Sequence, residues 1–119
     1  MLRSRRSLLQ AATGLAFARA KGAGTPLLPT VKLGKYEITR LIVGSNPING
    51  YCYALPSLSE HMKEWFTPEN VCKVLRRSQE AGINTFQFSY RERAMADLKR
   101  YQDEGGDIQW MLLGGGPMK

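Results

Sequence analysis

Residues 67–90 read TPENVCKVLRRSQEAGINTFQFSY, and this stretch predicts a helix followed by a strand. The triplet Thr67-Pro68-Glu69 supplies a capping hydroxyl, a proline at the first helical position and an acid in the first turn. Apolar residues then recur at helical spacing until Gly82, where a left-handed backbone is least unfavourable. The next residues, 85–90, have the character of a buried strand.

Segments on both sides extend this pattern. Residues 31–38 predict a small hairpin with a tight turn, and the apolar run 39–44 predicts a strand buried on both faces. Residues 94–101 predict a second helix, and residues 108–113 predict a third strand. The order strand, helix, strand, helix, strand implies right-handed parallel crossovers. Candidate functional residues are therefore expected at the carboxyl ends of the strands.

A long connection, residues 45–66, follows the first of these strands and is rich in Asn, Pro, Gly and Tyr. Connections of this length tend to carry function, and residues 58–65 predict a short helix within it. His61 is the one histidine of the sequence and stands beside Glu60 and Glu64. These side chains could form a metal site only if a further ligand came from elsewhere, so a solvated histidine and no metal site are expected.

The first 20 residues have the three zones of a cleaved export signal. A basic start is followed by a weakly apolar stretch, residues 8–17, and then by Ala18-Arg19-Ala20 with small residues at both outer positions. The run Ser4-Arg5-Arg6-Ser7-Leu8-Leu9 resembles the twin-arginine consensus, which makes the twin-arginine translocation machinery an expected partner through Arg5 and Arg6. The expected location is periplasmic or secreted. The alternative is a basic amphipathic first helix.

Two cysteines, Cys52 and Cys72, leave two interpretations open. In an exported protein they could form a disulfide. Cargo of the twin-arginine pathway is usually folded before export in a reducing cytoplasm, so two free buried thiols are at least as well supported.

Composition and charge exclude several classes of protein. The chain has 119 residues, of which 43% are hydrophobic and 23% are charged, as is ordinary for a globular domain. Its formal charge is +7, but all ten acidic residues follow Lys21, and the 12 basic residues beyond Lys21 leave only +2 there. No nucleic-acid partner is therefore expected. No apolar run approaches the roughly 20 residues of a membrane-spanning helix, so no span is expected in the mature chain.

Two segments resemble the aldo/keto reductase family, whose members are NADP-linked (β/α)8 barrels. The first contains Leu33-Gly34 and Ile38-Thr39-Arg40-Leu41-Ile42-Val43-Gly44, and it is similar to the opening hairpin and first strand of that family. The second is Ala81-Gly82-Ile83-Asn84-Thr85-Phe86, and it is similar to the family's entry into its second strand. A complete barrel of this type has about 250 residues. The resemblance therefore implies an α/β fold, a parallel (β/α) barrel of TIM type of which only the first three strands and two helices are present.

The predicted organisation has three parts. Residues 1–20 are a twin-arginine signal peptide, residues 21–30 are a linker rich in Gly and Pro, and residues 31–119 are the N-terminal part of an aldo/keto reductase-like barrel. The resemblance implies an oxidoreductase that uses NADP and acts on a small molecule, either a carbonyl compound or a sugar-like one.

The catalytic positions depart from the family pattern. The family has an Asp directly after the Phe of the second segment and a proton-donating Tyr five residues later. Here Gln87 stands at the position of the Asp, and Tyr90 follows only three residues after it. We carry over Tyr90 as the candidate acid and Gln87 as a candidate polar contact. The family's Lys at the end of the third strand has only Lys119 as a candidate.

Two alternatives to a reductase remain open. One is a non-catalytic barrel that binds a small polar ligand through its loops, and the other is a truncated, nonfunctional fragment. Arg91 and Arg93, just past the second strand, could clamp an anionic substrate or could be solvated charges at the start of a helix.

The export hypothesis predicts a clear effect of changing Arg5 and Arg6 together to Lys. Lysine has a different hydrogen-bonding group from the guanidinium pair that the translocation receptor reads, so the doubly substituted chain is expected to remain in the cytoplasm. Cell fractionation of the two forms measures this. Unchanged export would exclude the twin-arginine assignment.

Overall fold

The computed structural model describes residues 25–114 of the chain. The predicted signal peptide, the first residues of the predicted linker and residues 115–119 lie outside this range. The described residues form five strands and three helices, in the order β1 (Thr30–Leu33), β2 (Tyr36–Thr39), β3 (Val43–Gly44), α1 (Pro56–Trp65), α2 (Pro68–Glu80), β4 (Thr85–Ser89), α3 (Glu92–Asp103) and β5 (Gln109–Leu113).

The hairpin that the sequence predicts is confirmed. β1 and β2 pair antiparallel with Leu33 opposite Tyr36, so only Gly34 and Lys35 form the turn. Gly34 has φ of 60°, a backbone conformation that suits glycine in a two-residue hairpin turn. These two strands form a separate two-stranded sheet.

The second sheet is parallel and has the strand order β3-β4-β5. Gln87 lies at its centre, with Gly44 of β3 on one side and Met111 of β5 on the other. β3 is much shorter than the strand predicted for residues 39–44. Leu41 and Ile42 are 61% and 39% exposed, so the apolar run is not buried on both faces.

Helices α2 and α3 pack against one face of the parallel sheet. Phe86 and Phe88 of β4 are 1% and 0% exposed and belong to one core cluster with Leu75 of α2 and Leu98 of α3. Full burial of side chains of this size stabilises a fold by about 1.5 to 3 kcal/mol each. The two phenylalanine rings also stack, with centroids 4.9 Å apart.

The start and end of α2 confirm the sequence interpretation. The hydroxyl oxygen of Thr67 accepts a hydrogen bond from the backbone N–H of Asn70 at 3.3 Å, and Pro68 occupies the first turn. Gly82 follows the helix with φ of 90°. A Cβ at this glycine would lie 2.6 Å from the carbonyl oxygen of Pro26, so close approach of the backbone also requires glycine there.

The predicted fold class, a partial (β/α) barrel of TIM type with three strands and two helices, is wrong. The structure contains two sheets, one antiparallel and one parallel, and three helices. Strands and helices do not alternate, because α1 and α2 follow one another between β3 and β4. The physical reason lies in residues 45–66, where a ten-residue helix begins at Pro56. The short helix predicted for residues 58–65 is thereby confirmed, but the barrel of three strands and two helices did not count it.

None of the described helices could span a bilayer. They contain 10, 13 and 12 residues, and within residues 25–114 no helix combines the length and apolar character that a span requires.

Asn84 joins the hairpin to the parallel sheet. Its side-chain oxygen accepts hydrogen bonds from the backbone N–H of Thr39 at 3.0 Å and from the hydroxyl of Thr85 at 2.8 Å. Its side-chain nitrogen donates to the carbonyl of Glu37 at 3.0 Å. Its backbone carbonyl accepts from the N–H of Gln109 at 2.9 Å. One residue therefore connects β2, β4 and β5 at the amino-terminal edge of the parallel sheet.

Replacing Asn84 with Ala is expected to lower the free energy of unfolding by about 2 to 4 kcal/mol, because it removes partners from several partly buried polar groups at once. Urea denaturation followed by circular dichroism measures the change. The matched control is Asn49→Ala, since Asn49 is also half-buried but its side chain forms no hydrogen bond within residues 25–114. Equal stability of the Asn84 and Asn49 variants would contradict the role of Asn84.

The outer edge of β5 generates a second prediction. In the described part of the chain β5 pairs only with β4, and the strand Gln109–Leu113 contains no charge or proline to protect its free edge. Trp110 and Leu113 are also each 46% exposed. Residues 22–119 produced alone are therefore expected to self-associate.

Sedimentation velocity over a range of concentrations tests this self-association. Leu113→Lys places a charge on the free edge and is expected to reduce it, whereas Leu41→Lys, at an exposed leucine outside any strand, is expected to have little effect. A wild-type segment that stays monomeric and unfolds in one sharp thermal transition would show that the free edge of β5 does not cause self-association.

Candidate functional site

The carboxyl-terminal edge of the parallel sheet collects the chain's candidate functional residues. β3 leads there into the β3–α1 loop, residues 45–55, and β4 leads into Tyr90 and Arg91 before α3 begins. Parallel sheets of α/β proteins bind ligands at this edge, because the strands end there in loops whose side chains are free to vary.

The β3–α1 loop is tightly wound although it contains no helix or strand. The backbone N–H of Asn49 donates to the carbonyl of Ser45 at 3.0 Å, and that of Tyr51 donates to the carbonyl of Asn46 at 2.8 Å. The side chain of Ile48 is buried in the core cluster and attaches the loop to the core. These contacts restrain the backbone from which the side chain of Tyr51 extends.

Close contact with α1 also restrains this loop. Gly50 has φ of 70°, and a Cβ there would lie 2.5 Å from Cγ of Lys63 and 2.9 Å from the carbonyl oxygen of Ser59. The backbone N–H of Cys52 donates to the hydroxyl oxygen of Ser59 at 3.2 Å. Any side chain at Gly50 would push the loop away from α1.

Arg91 reaches across the edge to Tyr51. Its guanidinium carbon lies 5.3 Å from the centroid of the Tyr51 ring, which is within the range of a cation–π interaction. A guanidinium N–H also donates a hydrogen bond to the Tyr51 hydroxyl. Both side chains are exposed to solvent, so the pair is accessible to a ligand.

Arg93 has a different environment from Arg91. Its guanidinium donates to the backbone carbonyl of Phe66, and its Nε lies 3.6 Å from Oδ2 of Asp97. Asp97 is buried on α3, where removal from water raises the pKa of its carboxyl group and the nearby Arg93 and Arg100 oppose that rise. Arg93 therefore connects α3 to the segment between α1 and α2 and is not available as an anion clamp.

Gln87 is half-buried within β4 and faces away from the helices, since its neighbours Phe86 and Phe88 face them. Its side-chain nitrogen lies 3.6 Å from the sulfur of Met111, a weak contact. The amide of Gln87 therefore lies on the open face of the sheet among half-buried side chains.

Tyr90 follows β4 and is 67% exposed. Among the described residues no hydrogen bond joins it to Gln87, so the structure does not bring the two predicted site residues into contact. Tyr90 is instead the residue before Arg91, at the carboxyl edge itself. Arg5, Arg6 and Lys119 lie outside the described residues.

The remaining candidate metal-ligating side chains do not form one cluster in the described part of the chain. Nδ1 of His61 lies 3.8 Å from Oε2 of Glu64, both groups being well exposed, while Glu60 pairs with Lys63 at 2.9 Å. Within residues 25–114 no three His, Cys, Asp or Glu side chains are grouped closely enough to hold a metal ion. Cys52 and Cys72 are free thiols, and burial raises the pKa of Cys72.

A groove of about 600 Å³ lies at the opposite, amino-terminal end of the sheet, between the hairpin and β5. Leu33, Tyr36 and Met111 contribute to its lining, which contains neither Gln87 nor Tyr90. The side chain of Gln109 also lines it but is already engaged, since it donates to the carbonyl of Glu37 at 3.0 Å. The groove is largely a product of the packing between hairpin and sheet, and the carboxyl edge is the stronger candidate site.

Comparison with protein-family models, curated proteins and solved structures found no match to this chain. Sequence reasoning singled out Gln87, Tyr90 and Arg91 but missed Tyr51, because its contact with Arg91 joins residues 40 positions apart. It also missed Asp97, although the spacing of Ala94, Asp97 and Tyr101 placed that acid on the apolar face of a helix.

Proposed function

We propose that the chain is an aldo/keto reductase-like oxidoreductase that acts on a carbonyl or sugar-like small molecule with NADP. The proposal is supported by the resemblance of residues 33–44 and 81–86 to that family. The observation that carries it is the position of Tyr90, whose exposed side chain follows β4 at the carboxyl edge of a parallel sheet.

In this proposal Tyr90 is the general acid. Its hydroxyl would donate a proton to the carbonyl oxygen of the substrate, a role that positioned side chains fill in reactions of this class. The bound cofactor would supply the hydride. Arg91 suits an anionic cofactor or substrate, because its charge meets no carboxylate among residues 25–114.

Gln87 reduces the expected activity. A carboxylate at its position could tune the acid through its charge, which a neutral amide cannot do. Gln87 also contacts Met111 instead of Tyr90. We therefore propose weak turnover, and the same observation supports a second candidate function, non-catalytic binding of a small polar ligand at the same edge.

We further propose export through the twin-arginine machinery to a periplasmic or secreted location. This rests on Arg5 and Arg6 and on the apolar residues 8–17 that follow them. No nucleic-acid partner is proposed, because the charge beyond Lys21 is nearly balanced.

Oxidation of NADPH by the full chain with a panel of small aldehydes tests the reductase proposal. Weak turnover is expected, and Tyr90→Phe should lower it about 100-fold or more, since general acid catalysis contributes about 10² to 10⁴ in rate. The matched control is Tyr53→Phe, at a tyrosine that is 96% exposed in the β3–α1 loop. Gln87→Asp alone is not expected to raise turnover, because the side chain at position 87 contacts Met111 and not Tyr90, which is also two residues nearer in sequence than in the family pattern.

The outcomes separate the two candidate functions. Turnover that persists in Tyr90→Phe would exclude Tyr90 as the proton donor. Absence of turnover in the wild-type chain, together with saturable binding of a polar ligand, would favour the non-catalytic function. Robust wild-type turnover that disappears in Tyr90→Phe would show that Gln87 does not weaken the site.

A further inference from the structure

Arg91 differs from the four other arginines of α2 and α3 and their flanks in what it contacts. Those four form ion pairs with acidic side chains: Arg76 and Arg100 with Glu104, Arg77 with Glu80, and Arg93 with Asp97. Arg91 instead contacts the ring and hydroxyl of Tyr51. Its positive charge is therefore not neutralised by a carboxylate in the part of the chain that the structure describes.

Tyr51 gives the guanidinium of Arg91 a defined orientation. An exposed arginine normally samples many rotamers, and ordering it on binding lowers affinity. Here the ring lies against the guanidinium, and the ring itself is held by the wound β3–α1 loop, through the hydrogen bond of the Tyr51 N–H to Asn46 and the buried side chain of Ile48. The cation is thus preorganised before any ligand binds.

We propose that Arg91, positioned by Tyr51, binds the phosphate or carboxylate group of a small ligand at the carboxyl edge of the sheet. A guanidinium has five N–H donors in a planar fork that matches two oxygens of either group. In the described structure only the donor to Tyr51 is engaged. The remaining donors of Arg91 are free to meet the two oxygens.

This inference rests on the proposed function for the role of the ligand, and it narrows the substrate class. Tyr90 directly precedes Arg91, so an anion bound by the guanidinium would lie at the same carboxyl edge of the sheet as the candidate acid. A substrate or cofactor with an anionic group is therefore favoured over a neutral aldehyde. Arg93 does not share this role, since Asp97 and the carbonyl of Phe66 occupy its guanidinium.

Isothermal titration of the full chain with inorganic phosphate tests the site without any need for turnover. Saturable binding is expected, and Arg91→Gln should weaken it about tenfold to a hundredfold, the usual contribution of charged hydrogen bonds. Arg91→Lys should lose most of the affinity as well, because an ammonium keeps the charge but not the fork. The matched control is Arg40→Gln, at an exposed arginine that also forms no ion pair in residues 25–114.

Tyr51 is tested as a positioning residue. Tyr51→Ala should weaken phosphate binding, and Tyr51→Phe should restore most of it, since the phenyl ring keeps the cation–π contact. Circular dichroism verifies that each variant is folded. A loss of binding in Tyr51→Ala that Tyr51→Phe does not restore would overturn the role of the ring.

Further titrations distinguish the sources of the anion. Preference for glucose 6-phosphate over glucose, or for acetate over acetamide, would assign the site to a substrate, and preference for NADPH over NADH would assign it to the cofactor. Either preference supports the site provided that Arg91→Gln abolishes it. The proposal is overturned if the wild-type chain binds none of these anions, if Arg91→Gln binds them equally well, or if Arg40→Gln loses as much affinity. Anion binding that persists in a chain without reductase activity would reject the catalytic proposal alone.

Discussion

The hydrogen bonds of Asn84 are the constraint on which the arrangement of the two sheets depends. A two-stranded hairpin has little stability alone, and a three-stranded parallel sheet with helices on one face leaves polar groups unpaired at its ends. Asn84 meets both needs. Its side-chain amide hydrogen-bonds to the backbone of Thr39 and Glu37, and its backbone carbonyl accepts a hydrogen bond from the backbone N–H of Gln109. The side chain of Gln109 adds a second bond to the carbonyl of Glu37.

This constraint gives the two edges of the parallel sheet different properties. At the amino-terminal edge the hairpin and the Asn84 side chain occupy the backbone groups. At the carboxyl edge β4 is followed by the exposed Tyr90, and the charged group of Arg91 contacts an aromatic ring instead of a carboxylate. The hydrogen bonds that join the two sheets are therefore at one edge, and the charged group that is free to bind a ligand is at the other.

Local features of the fold could be predicted from the sequence, whereas its topology could not. The cap at Thr67 and the turn at Gly34 depend on neighbouring residues, and both are confirmed. The barrel fold class is wrong because it required strict alternation of strands and helices, while residues 45–66 supply an additional helix and only Val43 and Gly44 of the predicted strand 39–44 form β3. Resemblance over short segments does not determine how many elements lie between two strands.

The same distinction holds for the candidate site, where local positions could be predicted from the sequence and long-range contacts could not. Gln87, Tyr90 and Arg91 follow from their position at the end of a predicted strand, but the distinction between Arg91 and Arg93 does not, because both are arginines at the start of one helix. It arises from partners far away in the sequence, Tyr51 for the one and the Phe66 carbonyl for the other.

This division between the edges has a physical consequence for how the protein could diversify. Side chains at the carboxyl edge are mostly exposed and contribute few contacts to the core cluster, so changes in ligand recognition there need not disturb folding. Changes at Asn84 or in the stacked phenylalanines, by contrast, would alter stability before they altered recognition. The tightly wound β3–α1 loop is the exception, since it is anchored in the core by Ile48 and presents Tyr51 at the surface. Packing beneath that loop therefore links the stability of the fold to the orientation of Arg91.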